Sequence, residues 1–185
     1  TAMETLKRTL REAPVVERGE YDYFVHPITD GLPLVEPSLL REVVAGVKDL
    51  TSMDRVEKIV TPEAMGIHIT TALSLDTDTP FVIVRKRPYG FAGEVAVHQT
   101  TGYAEGELYL NSVGTDDRVL LLDDVLATGG TLSAVCAAIE QTGAELVDVV
   151  TVIRRETGEV PELPVTPKSL VTVDVVDGRV VVHEG

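Results

Sequence analysis

The stretch Val119–Ala134, VLLLDDVLATGGTLSA, limits the fold more than any other part of the chain. Its four leading apolar residues suit a strand buried on both faces, the pattern of a parallel sheet covered by helices. Two carboxylates, Asp123 and Asp124, follow at the strand's end. Thr128-Gly129-Gly130-Thr131 then makes a turn without Cβ obstruction. The run 131–143 reads as a helix stopped by Gly143. In such sheets ligands bind beyond the carboxyl ends of the strands. Turn amides converging at a helix N-terminus attract an anion, and Thr128 and Thr131 add hydroxyl donors. A phosphate can be held there without any lysine.

The neighbouring acids have a different partner. Carboxylates accept hydrogen bonds from hydroxyls or from metal-bound water. A loop that presents acids first and a phosphate cradle next is shaped for a ribose 5-phosphate, with Asp123 and Asp124 on its 2- and 3-hydroxyls. Competing phosphate motifs are missing: there is no Gly-x-x-x-x-Gly-Lys-Ser/Thr and no Gly-x-Gly-x-x-Gly. A Gly-x-Ser-x-Gly elbow is missing too. A lone Gly-Gly would be read as a structural turn; the whole string is read as a binding site.

The rest of the chain alternates strand and helix. A helix is expected over 3–12, ended by Pro14, and an amphipathic one over 37–50. YDYFVHPITDG reads as a short aromatic strand broken by Pro27 and an Asp30-Gly31 turn. Strands are expected at 56–61, 80–86, 118–124 and 144–155, with a helix at 66–76. This order predicts an α/β fold with a parallel sheet. Two β-branched runs around Asp177-Gly178 predict a C-terminal β-hairpin over about 169–184. Residues 87–107, rich in glycine and poor in apolar anchors, read as a long structureless loop, either a lid or disordered. With 185 residues the chain is taken as one domain, 1–185.

The net charge is −14 and basic runs are absent, which argues against nucleic acid as a partner. Three readings of the charge stay open: an ordinary acidic protein, a salt-adapted surface of dense carboxylates, or an acidic interaction face. No apolar run approaches the roughly 20 residues of a membrane helix, and the N-terminus is charged rather than leader-like. A cytoplasmic protein without a membrane partner is expected. Cys136, the single cysteine, lies on a helix face and reads as buried and inert. His26, His68, His98 and His183 show no metal-ligand spacing. Arg85-Lys86-Arg87 reads either as a solvated strand end or as a phosphate contact. Glu63 is either surface or an orienter of the loop after it.

With these motifs the chain resembles the type I phosphoribosyltransferases, and Val119–Thr131 looks like their phosphoribosyl-pyrophosphate (PRPP) loop. TPEAMGIHITTALSL (61–75) is similar to the pyrophosphate loop and helix of adenine phosphoribosyltransferases, and VRKRP (84–88) to their next strand end. TGYAEGELYL (101–110) resembles the end of their mobile catalytic loop, and YFVHPITDGLPL (23–34) their base-binding hood. The likeness spans about residues 20–155. FVHPITDG and GEVAVHQTTGYAEGELY bring it nearest to archaeal hypoxanthine-guanine phosphoribosyltransferases, and the acidic composition suits a halophile.

The resemblance implies an N-terminal hood at about 14–36, a mobile loop at about 87–107 and purine salvage from PRPP with Mg²⁺, in a homodimer. Hypoxanthine or guanine is the favoured base, with adenine as the alternative. It implies that Asp123, Asp124, Tyr103 and Glu105 are catalytic. Ala127, Thr128, Gly129, Gly130 and Thr131 hold the PRPP phosphate, and Ala64, Met65, Gly66, Arg85 and Lys86 the pyrophosphate. Phe24, Val25 and main-chain groups near His26 hold the base. Mg²⁺ is reached through PRPP and water, with Asp123 and Asp124 as its only candidate protein contacts. Some positions depart from the family pattern. Met65 replaces an arginine, Gly102 a glutamate with Glu105 close by, and Tyr89 a lysine. Ala127 stands where hypoxanthine-guanine enzymes carry an aspartate. The substitutions at Met65 and Gly102 motivate a second reading, a PRPP-sensing regulator of the same fold without catalysis.

Overall fold

A computed structural model describes residues 2–101, 105–157 and 162–184. In chain order it contains α1 (Glu4–Arg11), β1 (Val15–Arg18), β2 (Tyr21–Phe24), α2 (Pro27–Asp30) and α3 (Pro37–Leu50). Then follow β3 (Lys58–Pro62), α4 (Ile67–Thr77), β4 (Phe81–Val84), β5 (Val95–Thr100) and β6 (Glu105–Leu110). The chain continues through β7 (Arg118–Leu126), α5 (Gly130–Thr142), β8 (Glu145–Arg155), β9 (Lys168–Val176) and β10 (Arg179–His183).

Six strands form the central sheet in the order β10-β9-β8-β7-β3-β4. The neighbours from β9 to β4 are parallel, and only β10 runs antiparallel to its partner. Val119, Leu120, Leu121 and Leu122 of β7 are all fully buried. Leu120 and Leu122 join the cluster built with Leu6, Leu39, Val43, Ile69 and Leu73 from α1, α3 and α4. Val119 and Leu121 join the other, with Leu132, Val135 and Ile139 of α5. Each face thus buries its own set of helix residues, which is why the strand is apolar throughout rather than alternating. Gly143 caps α5 in the left-handed region at φ 80°. Asp177 and Gly178 close the C-terminal hairpin with φ 52° and 72°. Both turns agree with the sequence expectation. Cys136 is buried, which pushes its thiol up to about 12.

Two segments differ from expectation. Residues 87–107 are not a structureless loop. Nine of them belong to β5 and β6, an antiparallel pair with Val97 opposite Leu108 and Thr100 opposite Glu105. Val97 and Gln99 on one strand, and Leu108 and Leu110 on the other, face inward on alternate positions. The period-two pattern was present, but the glycines around it obscured it. Residues 102–104 lie outside the described residues.

The hood is also a hairpin, with Val15 opposite Phe24 and Arg18 opposite Tyr21. It ends in the single turn α2, where His26 is the N-cap: its Nδ1 accepts the Ile28 N–H at 3.1 Å. Pro27 stands at the first helical position, where its missing N–H costs nothing.

Candidate active site

The carboxyl ends of β3, β7 and β8 open into a cleft of about 820 Å³ whose other wall is the hood. β7 delivers Asp123 and Asp124 to its floor. Asp123 is 8% exposed, and its Oδ1 accepts the Asp124 N–H at 2.9 Å. Burial raises the Asp123 carboxyl well above the usual range, and the adjacent Asp124 charge adds to that. Burial likewise pushes Asp124 up to about 6, against hydrogen bonds that favour its charged form, and Asp30 across the cleft adds repulsion. Two acids held together out of water, with no ion pair to either among the described residues, are poised for hydroxyls or a cation.

The turn after them places Ala127, Thr128, Gly129, Gly130 and Thr131 along the same cleft. Gly129 is the N-cap of α5 at φ 88°, a conformation that favours glycine, and no side chain caps the helix. The first-turn amides of α5 are therefore left for a ligand. Gly130 is forced by contact: a Cβ there would fall 1.9 Å from the Thr100 carbonyl oxygen at the end of β5. The Thr131 hydroxyl donates to Gln99 Oε1 at 2.9 Å, tying the turn to β5.

On the other side of β7, β3 leads into a second turn that contributes Glu63, Ala64 and Met65 to the cleft. Gly66 precedes α4 without lining the cleft; a Cβ on it would lie 2.0 Å from Thr61 Oγ1 and 3.0 Å from Asp123 Oδ1. The turn therefore packs directly against Asp123. Lys86 reaches the cleft from the end of β4, but Arg85 does not line it. Arg85 Nε instead donates to Glu63 Oε1 at 2.9 Å, and the Lys86 N–H donates to the same oxygen at 2.8 Å. Burial would raise the Glu63 carboxyl, but these two donors outweigh it and hold it below the usual range. The Arg85 guanidinium lies 5.8 Å from the Tyr89 ring centre. Arg85 thus fixes the turn through Glu63.

Phe24 and Val25 line the hood side of the cleft. The His26 ring does not reach the cleft. It is fully buried, with Nε2 2.8 Å from Thr9 Oγ1. Burial brings it down to about 4 despite Asp30, so it is neutral at pH 7. Since Nδ1 accepts from Ile28, Nε2 carries the proton and donates to Thr9. Glu105 opens β6, exposed and away from the cleft wall. Tyr103, assigned to catalysis by resemblance, lies outside the described residues.

The sequence reading missed Tyr21, Tyr23, Asp30, Gln99 and Arg155, all of which line the cleft. The strand-end rule alone would have flagged Arg155, which closes β8.

Acid pair, open helix N-terminus and basic strand end on one parallel sheet have the chemistry to hold a phosphorylated sugar. Residues 45–175 match the phosphoribosyl transferase domain, and the chain belongs to that family of glycosyltransferase-type enzymes. It is 55% identical to HGPRTase-like protein 2 of Halalkalicoccus jeotgali, covering 97% of this chain and 96% of that one. It is 54% identical to the hypoxanthine/guanine phosphoribosyltransferase of Methanocaldococcus infernus, covering 96% of this chain and 98% of the other. Adenine phosphoribosyltransferase of Rhodothermus marinus superposes with a TM-score of 0.75 at 24% identity, covering 92% and 98% of the two chains. The enzyme of Trypanosoma brucei in complex with AMP, pyrophosphate and ribose-5-phosphate superposes at 0.69 with 19% identity, covering 91% and 79%. At those identities the likeness shows the fold.

Proposed function

We propose that this chain transfers the 5-phosphoribosyl group of PRPP to a free purine, hypoxanthine or guanine before adenine, and releases pyrophosphate. A purine nitrogen forms the bond to ribose C1 as the C1–O bond to pyrophosphate breaks, and the base gives up a proton. The observation that carries the reading is the juxtaposition in one cleft of the acid pair, Asp123 and Asp124, with the uncapped N-terminus of α5. The amides of the 127–131 turn and of the first turn of α5 bind the 5-phosphate. Asp123 and Asp124 take the ribose hydroxyls. Amides around Ala64 and Met65, with the Lys86 ammonium, receive the departing pyrophosphate. Phe24 and Val25 form the apolar wall for the base. Gln99 and the end of β5 hold the turn from behind.

The reaction calls for Mg²⁺, and the residues fit it. Two adjacent carboxylates without a basic partner can share a hydrated ion with substrate oxygens. Among the described residues no group of three or more His, Cys, Asp or Glu forms a protein cage for a metal. Asp123 and Asp124 would hold the ion, which when bound neutralises charge on the leaving pyrophosphate. We also propose a cytoplasmic location and, from the resemblance, a homodimer, which light scattering in solution tests.

The test is a labelled-base assay with PRPP and Mg²⁺ over hypoxanthine, guanine and adenine. Nucleotide formation that is abolished by a chelator and restored by added Mg²⁺ supports the proposal. No nucleotide from any base, with PRPP still bound, identifies a sensor instead.

A further inference from the structure

β5 carries one residue against its own pattern. Its inward positions, Val95, Val97 and Gln99, alternate with exposed ones, and Val97 packs into the apolar layer of Leu108, Leu110 and Leu132. The third inward position holds an amide instead, and Gln99 is only 8% exposed. A buried amide costs stability unless its acceptor and its donors are paired. Gln99 Oε1 is paired, since it accepts the Thr131 hydroxyl at 2.9 Å. Nε2 carries two N–H donors, and nothing among the described residues accepts from it. Across the hairpin Gln99 faces Gly106, which has no side chain to offer. Gln99 lines the cleft, so its unpaired end is aimed at what the cleft binds.

Position decides which part of the substrate that is. Oε1 and Nε2 share one carbon, so the free donors stay beside Thr131 in the first turn of α5. That turn already offers its uncapped amides to an anion. Thr131 leaves the anion one donor short: a hydroxyl has a single proton, and Gln99 holds it. The other parts of the substrate lie elsewhere. Phe24, the wall for the base, belongs to the apolar cluster on the opposite face of the sheet from Val97 and Leu132. The Ala64–Met65 turn and Lys86 stand at the ends of β3 and β4 rather than at α5.

We propose, resting on the phosphoribosyl-transfer reading above, that Gln99 donates through Nε2 to the 5-phosphate of the substrate while Oε1 keeps the Thr131 hydroxyl. The phosphate thereby gains a donor from outside the β7–α5 stretch, and one side chain ties it to the β5–β6 hairpin. The contact also sets specificity. A ribosyl group without its 5-phosphate leaves the buried amide unsatisfied, and a site built to pair a polar group rejects an analogue that lacks it.

The experiment titrates ribose 5-phosphate into the full chain, as wild type and as Gln99→Glu, by calorimetry. The glutamate keeps the shape and an acceptor for Thr131, but puts a carboxylate oxygen where the two donors were. Affinity for ribose 5-phosphate is expected to fall about 10- to 100-fold, the scale of a hydrogen bond to a charged group. KM for PRPP should rise by a similar factor, with KM for hypoxanthine near wild type. Unchanged affinity for ribose 5-phosphate would overturn the contact, because a residue that only holds Thr131 loses nothing in this variant. An equal loss on hypoxanthine would overturn it too. Should Gln99→Glu fail to fold, the wild type decides by ¹H–¹⁵N NMR. Ribose 5-phosphate is expected to shift the Gln99 side-chain amide saturably, together with the main-chain amides of 128–131, and ribose at the same concentration to leave it in place. Main-chain amides that move while the Gln99 side chain does not would refute the contact and leave the phosphoribosyl reading standing. A protein in which neither moves defeats both. A wild type that shifts Gln99 but forms no nucleotide from any purine loses the transfer reaction and keeps the contact.

Discussion

Two strand-to-helix turns line the cleft, and they are built alike but held differently. The turn from β7 to α5 places Gly130 against the backbone carbonyl of Thr100, 1.9 Å from where a Cβ would stand. The turn from β3 to α4 places Gly66 against a side-chain hydroxyl, Thr61 Oγ1, 2.0 Å from the equivalent position. Backbone at the end of a paired strand cannot move aside; a threonine rotamer can. The first turn also carries its own acids, whereas the second borrows its charge from Arg85 and Lys86 through Glu63. The side proposed for the phosphoribosyl group is therefore rigid and written into one continuous stretch, and the side proposed for pyrophosphate is assembled from two strands.

The comparison breaks first at Gly130. Gly130→Ala should drive α5 away from β5, and a displacement of about 1 Å at such a site lowers catalysis by about 100-fold or more. Destabilisation of about 1–3 kcal/mol or more accompanies it. Calorimetric melting and PRPP saturation kinetics read both, and a variant as stable and active as wild type would refute the close approach. Gly66→Ala should cost less on both measures, because Thr61 can turn away. A larger effect at Gly66 than at Gly130 would invert the account.

Asp124→Asn comes next. Charged hydrogen bonds to the diol are worth about 1.5–3 kcal/mol, so PRPP use should fall about 10- to 100-fold while free-base binding stays unchanged. Equal loss on both ligands, measured by calorimetry, would contradict the role of that carboxylate. The same variant sharpens a pH effect. Asp124 sits near its usual value when unfolded and is raised to about 6 when folded, with Asp123 raised as well. A raised carboxyl contributes stability that is present below its unfolded pKa and lost as pH rises through its folded one. The ligand-free protein should gain stability from this pair as pH falls from about 7 towards 4, and Asp124→Asn should flatten that gain. A wild-type contribution that instead grows with rising pH would show the pair stabilised as anions.

Glu63→Gln should have the smallest effect. It keeps one acceptor for Arg85 and the Lys86 N–H but removes the charge. A KM for PRPP raised by a few fold, with kcat near wild type, is expected on the scale of one weakened charge-assisted bond, about tenfold at most. A collapse of kcat would give Glu63 a chemical role that its distance to Arg85 does not suggest.

How much was readable beforehand follows the same division. Continuous signals survived: the apolar run of β7, the acids, the Gly-Gly turn and the Asp177-Gly178 hairpin all stand where periodicity and turn chemistry put them. Signals that need a partner were lost. Val95, Val97, Leu108 and Leu110 alternate correctly, but each strand is short and flanked by glycines, so their pairing shows only in three dimensions. His26 looks like a cleft residue beside Phe24 and Val25, yet the turn at Pro27 rolls its ring inward to Thr9. Arg155 closes a strand that the sequence already predicts, so the strand-end rule flags it, but only sheet order shows that this end opens on the cleft.

Central to all of this is the proposed grip of the β7–α5 turn on a sugar phosphate. Titrating ribose 5-phosphate into the labelled protein, followed by ¹H–¹⁵N NMR, tests it directly. Saturable shifts at the amides of Thr128, Gly129, Gly130 and Thr131, with the Ala64–Met65 turn unmoved, are the outcome that this geometry requires. Shifts confined to the Ala64–Met65 turn, or none at either, would contradict it.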